Sequence, residues 1–263
     1  MRLGVVGSPI AHSKSPFLQK AAFGVLGLRW EYTAEQVERG SFADHVQSLD
    51  ARWRGLSVTA PLKEEAHQYA RELDDDARLT GAVNTLLLKS RRGFNTDVDG
   101  IVRAFGTRRV TTVRRAAVIG GGSTAASALV ALARMGATAV EVRLRTVAKG
   151  ESLRPIADEL GVELLIDDLD APVERPDAVV STLPSSAAVT PTLVRPGAIL
   201  DADYARGASR YDFDHEDRVI SGLEMLAAQA LTQVKIFVGG APDRELPNEA
   251  RVYEAMRASI GLA

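Results

Sequence analysis

The stretch Ala116-Ala-Val-Ile119-Gly-Gly-Gly122-Ser-Thr-Ala125 constrains the fold more than any other part of the chain. A short apolar run enters three glycines, and an alanine-rich segment with helical spacing follows as far as Met135. Strand, glycine turn and helix in that order require a tight turn and a helix that starts close to the strand it leaves. Gly120-Gly-Gly122-Ser-Thr-Ala125 fits the pattern Gly-x-Gly-x-x-Ala. The first glycine permits the turn, the second lets the backbone approach a pyrophosphate, and the alanine lets helix and strand pack closely. The helix N-terminus then offers amide donors and a positive dipole end to phosphates. Gly120, Gly121, Gly122, Ser123, Thr124 and Ala125 therefore form a candidate dinucleotide cradle. A glycine-rich connector is the plainer alternative, and the strand–turn–helix context weighs against it.

The surrounding pattern extends this unit. Val140–Leu144, Val162–Ile166, Ala178–Leu183 and Ala198–Asp201 read as strands, with a helix at Leu153–Leu160. This alternation predicts a doubly wound parallel sheet. Upstream, strands at Leu3–Gly7, Trp30–Ala34 and Gly55–Thr59 alternate with helices, and Val83–Leu88 with Phe94–Thr96 suggests a hairpin. Ser15 reads as a helix N-cap with Pro16 at the first helical position, Ser41 as the cap of Phe42–Leu49, and Asp99 as the cap of Ile101–Phe105. Two long helices, Leu223–Val238 and Asn248–Leu262, close the chain with no strand after them, which predicts that they return to the first domain. The expected architecture is α/β: an N-terminal α/β substrate domain plus a Rossmann-type doubly wound parallel-sheet domain. Residues 1–99 with 223–263 are expected to form the substrate-binding and catalytic domain, and residues 100–222 the dinucleotide-binding domain.

Composition narrows the function classes. The 263 residues carry a net charge of −2, so nothing attracts the chain electrostatically to nucleic acid or an anionic membrane. There are no cysteines, which excludes disulfides and thiolate catalysis. The four histidines show no metal-ligand spacing, and no metal is expected. The opening residues have too short an apolar run for a signal peptide, and no stretch is long enough to span a membrane, so a cytoplasmic protein is expected.

The choice of dinucleotide is read at the end of the second strand of the glycine-turn unit. An acidic residue there accepts the ribose 2′-hydroxyl of NAD, whereas an arginine pairs with the 2′-phosphate of NADP. Glu141 lies at the strand's start, far from its tip, while Arg145, Thr146 and Lys149 sit at or beyond the tip. A planar guanidinium suits phosphate pairing and Lys149 adds a second charge, which favours NADP over a merely solvated basic turn.

Two other stretches carry the remaining chemistry. Gly7-Ser-Pro-Ile-Ala-His-Ser-Lys-Ser-Pro16 and Ser57-Val-Thr-Ala-Pro-Leu-Lys63 each place hydroxyl residues in a proline-punctuated turn after an apolar strand, and the second adds a lysine. Such a set suits a small polyhydroxylated ligand, with one ammonium group able to do acid/base work. A surface lysine, a turn serine and a capping Asp97 are the plainer readings of the same residues.

Together the motifs resemble those of the shikimate dehydrogenases over nearly the whole chain. Gly7–Pro16 looks like the family's G-x-P-I-x-H-S-x-S-P, and Gly55–Lys63 like its G-x-[SN]-V-T-x-P-x-K. Gly81-Ala-Val-Asn-Thr85, Gly93-Phe-Asn-Thr-Asp97 and Gly222-Leu-Glu-Met-Leu-Ala-Ala-Gln-Ala230 resemble three further family motifs in the right order. The resemblance implies NADP-dependent reversible reduction of 3-dehydroshikimate to shikimate, in aromatic amino-acid biosynthesis, by a monomer or homodimer. It implies that Ser13 and Ser15 hold the substrate carboxylate and that Thr59, Asn84 and Gln229 bind ring hydroxyls. Lys63 and Asp97 would form the catalytic pair, Tyr204 would reach the substrate from the nucleotide side, and Gly222 and Met225 would join the cofactor site, Met225 near the nicotinamide. The chain also departs from the family pattern. Leu144 stands where Asn is usual, Ser181-Thr-Leu-Pro184 where Asn-Ala-Thr-Pro is common, and Arg206 where a proline follows the tyrosine. The rival readings are an NAD-using quinate/shikimate dehydrogenase of broader specificity, and a ligand-sensing relative without turnover. The second would be expected to have lost Lys63 or Asp97, and both are present.

Overall fold

The computed structural model describes residues 1–205, 209–211 and 218–262. Arg206, which stands in place of the family's proline, lies outside them. The chain divides into two compact units, residues 1–96 with 226–263 and residues 97–225.

The first unit alternates β1 (Arg2–Gly7), α1 (Ser15–Val25), β2 (Glu31–Gln36), α2 (Phe42–Ser48), β3 (Trp53–Val58), α3 (Lys63–Tyr69), β4 (Glu72–Leu73), α4 (Asp75–Thr80), β5 (Thr85–Leu87) and β6 (Arg92–Phe94). The sheet order is β2-β1-β3-β5-β6-β4. β1 runs parallel to β2 and β3, whereas β5 is antiparallel to both β3 and β6, so the hairpin reverses the sheet's direction on one side.

The second unit opens with α5 (Asp97–Gly106) and continues through β7 (Arg115–Ile119), α6 (Ser123–Arg134), β8 (Ala139–Leu144), a 3-10 segment (Val147–Leu153), α7 (Arg154–Leu160) and β9 (Glu163–Asp168). β10 (Val173–Glu174), β11 (Ala178–Ser181), β12 (Leu193–Val194), β13 (Ala198–Asp201) and β14 (Val219–Ser221) follow. The main sheet is parallel throughout, in the order β14-β13-β11-β7-β8-β9, while β10 and β12 form a separate parallel pair. This is the doubly wound sheet that the alternation predicts. Its central strands are buried apolar runs, as a parallel sheet covered on both faces requires. Residues Ala125–Leu132 of α6 are all nearly inaccessible, which explains their small, apolar character.

α8 (Gly222–Gly239) and α9 (Glu249–Ser259) end the chain, and from Leu226 onward they belong to the first unit. Ile236 and Phe237 fill a core with Leu3, Val5, Phe23, Tyr32, Leu87 and Phe94. Only glycine fits at position 55: a Cβ there would meet Phe237 Cε1 at 2.8 Å and the Leu86 carbonyl at 2.7 Å. Arg54 donates to the carbonyls of Phe237 and Val238, and Arg92 to that of Gly240 at 3.1 Å. These cations satisfy carbonyls at the end of α8, where the helix leaves them without intrahelical partners and favours positive charge. Lys235 pairs with Glu249 at 3.0 Å, tying α8 to α9.

The capping expectations need correction. Lys14 is the N-cap residue of α1, Ser15 is its first residue, and Pro16 follows inside the first turn. Ser41 is the N-cap residue of α2, as expected, but its side chain makes no cap bond; the Glu65 carboxylate of α3 accepts from the Gly40 and Phe42 amides at 2.8 and 3.3 Å. α5 begins at Asp97, so Asp99 lies within its first turn and pairs with Arg103 at 2.9 Å. Asn84 falls just before β5, not within a strand.

Candidate active site

The two proline-punctuated turns follow neighbouring parallel strands, β1 and β3, and the backbone stitches them together. The Thr59 amide donates to the Val6 carbonyl at 2.9 Å, and the Ser8 amide to the Ala60 carbonyl at 3.0 Å. A Cβ at Gly7 would lie 2.3 Å from Thr59 Cγ2 and 2.8 Å from the Ala60 oxygen, so that glycine is what lets the turns meet. The Ser8–Pro9 and Ala60–Pro61 peptide bonds are both cis. Ser15 is buried at the head of α1, and the Ser13 hydroxyl accepts from its amide at 3.4 Å. Thr59 is half-buried at the end of β3. Lys63 opens α3 and is only 9% exposed, rare for a lysine, which is normally solvated.

A second cluster lies deeper in the same unit. The Asn84 side chain accepts from the Thr96 amide at 2.9 Å and the Thr85 hydroxyl at 2.8 Å. Its amide group donates to Thr96 Oγ1 at 2.9 Å and Gln229 Oε1 at 3.4 Å, while Thr96 Oγ1 also donates to Gln229 at 3.2 Å. Gln229 thereby leaves α8 to join residues from the hairpin. Behind it, Gln233 donates to the Asn84 carbonyl at 3.1 Å and accepts from Ser57 Oγ at 2.7 Å; the Tyr32 hydroxyl donates to Ser57 at 2.6 Å. Burial pushes the Tyr32 phenol far above its ordinary pKa, so it stays a proton donor to Ser57. The structure thus brings Asn84 and Gln229 together, as buried polar groups must be satisfied.

Thr96, Thr85, Ser57, Gln233 and Tyr32 complete this network although the sequence reading singles none of them out as site residues. Thr96 and Ser57 lie inside the motifs quoted above. Gln233, four residues after Gln229, shares its helix face, and that spacing is the signal that could have found it.

Asp97 follows Thr96 directly, opens α5 and is 5% exposed. Tyr204 follows β13; burial, with the Asp203 charge nearby, raises its phenol pKa. Gly222 starts α8, and a Cβ there would meet the Ala202 oxygen at 2.5 Å. Met225 is buried one turn into that helix.

In the second unit the glycine turn joins β7 to α6. Gly120 has φ +119°, and a Cβ on it would lie 2.2 Å from Thr182 Oγ1, so no other residue serves there. Gly122 is the N-cap residue of α6, and Ser123, Thr124 and Ala125 form its first turn; the Ala125 amide donates to the Gly122 carbonyl at 2.9 Å, which leaves those of Ser123 and Thr124 as the leading amides without an intrahelical acceptor. The turn is flanked by β8 on one side and β11 on the other, the point where strand order reverses and ligands bind in such sheets. Beyond the end of β8, Arg145, Thr146 and Lys149 are all exposed. Glu141 is engaged elsewhere, with Arg143 at 2.8 Å and Arg115 at 3.4 Å. Leu144, in the place of the usual Asn, is buried, and a Cβ on Gly121 would come within 2.8 Å of it. These residues fit a dinucleotide bearing a 2′-phosphate: bare backbone at the turn, the leading amides of α6, and the exposed cations Arg145 and Lys149 beyond the end of β8. Among the described residues no group of His, Cys, Asp or Glu could hold a metal ion, and no helix is long and apolar enough to cross a membrane.

A parallel sheet with this turn at its switch point, in a chain that also carries a buried lysine and an amide–hydroxyl cluster, defines a dinucleotide-dependent oxidoreductase. Residues 5–86 match the shikimate dehydrogenase substrate binding domain. The NADP(+) shikimate dehydrogenase of Ignicoccus hospitalis is 30% identical, over 99% of this chain and 100% of its own. The shikimate dehydrogenase of Mycobacterium tuberculosis has a structure similar at a TM-score of 0.77, with 31% identity over 98% of this chain and 99% of that one. The Thermus thermophilus shikimate 5-dehydrogenase, solved with NADP(H) and shikimate, gives a TM-score of 0.78 at 26% identity, covering 98% and 99%. The chain belongs to the shikimate dehydrogenase family.

Proposed function

We propose that this protein reduces 3-dehydroshikimate to shikimate reversibly with NADP(H), as a step in aromatic amino-acid biosynthesis. The observation that carries the reading is the pairing, in one unit, of a nearly inaccessible Lys63 with the buried Asn84–Thr96–Gln229 cluster. Residues 1–96 with the C-terminal helices are the substrate unit, and residues 97–225 the cofactor unit. The cytoplasm is the site of action, with no nucleic-acid or membrane partner.

Ser13 and Ser15 hold the substrate carboxylate, helped by the positive end of α1. Thr59, Asn84 and Gln229 take the ring hydroxyls, and Tyr204 contacts the substrate from the cofactor unit. Gly120 through Ala125 cradle the pyrophosphate, Arg145, Thr146 and Lys149 hold the 2′-phosphate, and Gly222 and Met225 flank the nicotinamide. NADP(H), when bound, supplies or accepts the hydride. Lys63 Nζ delivers the proton that the reduced ring oxygen gains, and recovers it in the reverse direction. Before that transfer its charge stabilises the developing alkoxide. Asp97 orients the ammonium group and a ring hydroxyl.

A steady-state assay of shikimate and quinate, each with NADP and NAD, tests the reading. Shikimate with NADP is expected to give the highest kcat/KM; an NAD preference would sink the assignment of Arg145 and Lys149. In the same assay Lys63→Ala is expected to lower kcat by about 10²–10⁴-fold, the span of general acid–base catalysis, while NADPH binding measured by fluorescence is unchanged. Near-normal kcat in that variant excludes Lys63 as the proton carrier.

A further inference from the structure

Arg210 lies in the short segment Ser209–Tyr211 after β13, and neither the motifs nor the proposed mechanism gives it a role. Its side chain is 1% exposed. Nη2 donates to the carbonyls of Leu183 and Pro184 at 2.9 and 3.0 Å, and Nη1 to those of Ala187 and Val189, both at 3.3 Å. Asp201 and Asp203 balance the charge, at 3.8 and 3.7 Å. The segment is itself anchored, since Asp201 Oδ2 accepts from the Ser209 hydroxyl at 2.8 Å and the Arg210 amide at 3.2 Å.

All four carbonyls belong to the loop that follows β11. Within the loop the Ala187 amide donates to the Pro184 carbonyl at 2.9 Å, and Ala187 and Val189 pack against the buried cluster of Leu183 and Tyr211. A planar guanidinium adds a fork that reaches four carbonyls at once, whereas an ammonium group has only three donors on a single atom. Burying the cation is costly unless it is paired and hydrogen-bonded; here both terminal nitrogens are satisfied by the loop carbonyls, the charge is balanced by Asp201 and Asp203, and Nε alone has no hydrogen-bond partner among the described residues.

The loop it holds begins against the glycine turn. The Thr182 amide and hydroxyl both donate to the Ile119 carbonyl, at 2.8 and 3.0 Å, and Thr182 Oγ1 occupies the space that a Cβ on Gly120 would need. A dinucleotide with its pyrophosphate on that turn lays its adenosine half towards β8, where Arg145 and Lys149 are, and its other half towards β11 and β13. On that reading the 182–190 loop starts at the pyrophosphate turn and continues on the nicotinamide side of it, away from the adenosine half.

We propose that Arg210 is a positioning residue for the nicotinamide half of the cofactor, acting through the Leu183–Val189 loop without touching the ligand. The proposal rests on the reading of this unit as the NADP(H) site.

The full-length chain, as wild type, Arg210→Lys and Arg210→Ala, is titrated by calorimetry with NADPH and with adenosine 2′,5′-bisphosphate, which carries the adenosine half only. Arg210→Lys keeps a cation beside Asp201 and Asp203 and so is the variant that retains the fold when Arg210→Ala does not. The expected result is a roughly tenfold or greater rise in Kd for NADPH in either folded variant, with adenosine 2′,5′-bisphosphate within about twofold of wild type. An NADPH affinity within about twofold of wild type overturns the proposal, and so does an equal loss for both ligands, which would mark a general structural role. Wild type binding neither ligand overturns the cofactor reading itself.

Discussion

At the scale of single residues, the substrate unit depends on a network in which each polar group already has a protein partner. Thr96 Oγ1 accepts from Asn84 and donates to Gln229, so it sets the angle at which two proposed hydroxyl ligands present themselves. Thr96→Val keeps the volume and removes that link. It leaves Asn84 and Gln229 partly unsatisfied, at a cost of about 1–3 kcal/mol for a buried polar group. The expected outcome is a rise of roughly tenfold in the KM for shikimate, with the KM for NADP unchanged, measured by varying each substrate at saturation of the other. A rise in both KM values would mean general loosening of the fold and no positioning by Thr96. The sequence points to Asn84 and Gln229 through the resemblance of Gly81–Thr85 and Gly222–Ala230 to the family's motifs. It does not reveal Thr96, Thr85 or Ser57 as their partners, because a threonine or serine beside a strand is unremarkable until tertiary contacts assign its hydroxyl. Glu141 shows the converse: its position at the start of β8 removes it from the strand tip, and the ion pairs with Arg143 and Arg115 supply its actual employment.

At the scale of elements, Asp74 shows how a helix cap becomes a titrating device. It caps α4 by accepting from the Ala77 amide at 2.8 Å, and it also accepts from the Asn95 amide at 3.2 Å. Burial nevertheless raises its pKa from 3.8 to about 6, against those hydrogen bonds and with the Asp76 and Asp75 charges adding to the rise. The folded state therefore binds this proton more tightly than the unfolded chain. The stability linked to it is fully present below about pH 4 and is lost as pH rises through about 6, on the order of 2–3 kcal/mol in all. Asp74→Asn keeps an oxygen acceptor for the cap and removes the titration. In urea unfolding across pH 4 to 7, wild type minus variant stability is expected to fall with pH, and the variant to equal or exceed wild type at pH 7. A variant less stable than wild type at pH 7 would show that the ionised cap is worth more than its burial costs. Elements of this kind were unequally legible. Long periodic helices and the buried strands of the parallel sheet follow from spacing alone. The two-residue strands β4, β10 and β12 have no room for a period, and β14 has barely more. Caps are only partly legible: Ser15 has the right chemistry one residue too late, and Ser41 takes the N-cap position while the Phe42 amide and that of Gly40 before it go to Glu65, a residue distant in sequence that no local rule connects to them.

At the scale of the whole molecule, the first unit is assembled from two separate lengths of chain, 1–96 and 226–263. The glycine-turn unit, residues 97–225, is continuous and carries its own parallel sheet and helices. The first unit instead needs α8 for its core. Ile236 and Phe237 are fully buried there with residues of β1, β2, β5 and β6, and Val234 and Leu231 are buried in the same helix. Each such side chain contributes about 1.5–3 kcal/mol on burial, so four of them approach the entire margin of a typical domain, about 5–15 kcal/mol. Removing α8 also strips Gln233 and Gln229 from Ser57 and Asn84, leaving buried polar groups unsatisfied. Arg54 and Arg92 would lose the carbonyls they bind at the end of α8. The expectation is an asymmetric dissection. Residues 97–225 expressed alone give cooperative thermal unfolding by circular dichroism and bind adenosine 2′,5′-bisphosphate, because their six-stranded parallel sheet is formed by strands from within that length of chain. Residues 1–96 alone give no cooperative transition, and adding residues 226–263 as a separate peptide restores one in a concentration-dependent manner. Cooperative unfolding of residues 1–96 without that peptide would show that the returning helices cover a core already stable without them, and would overturn the view that the chain's last segment completes its first.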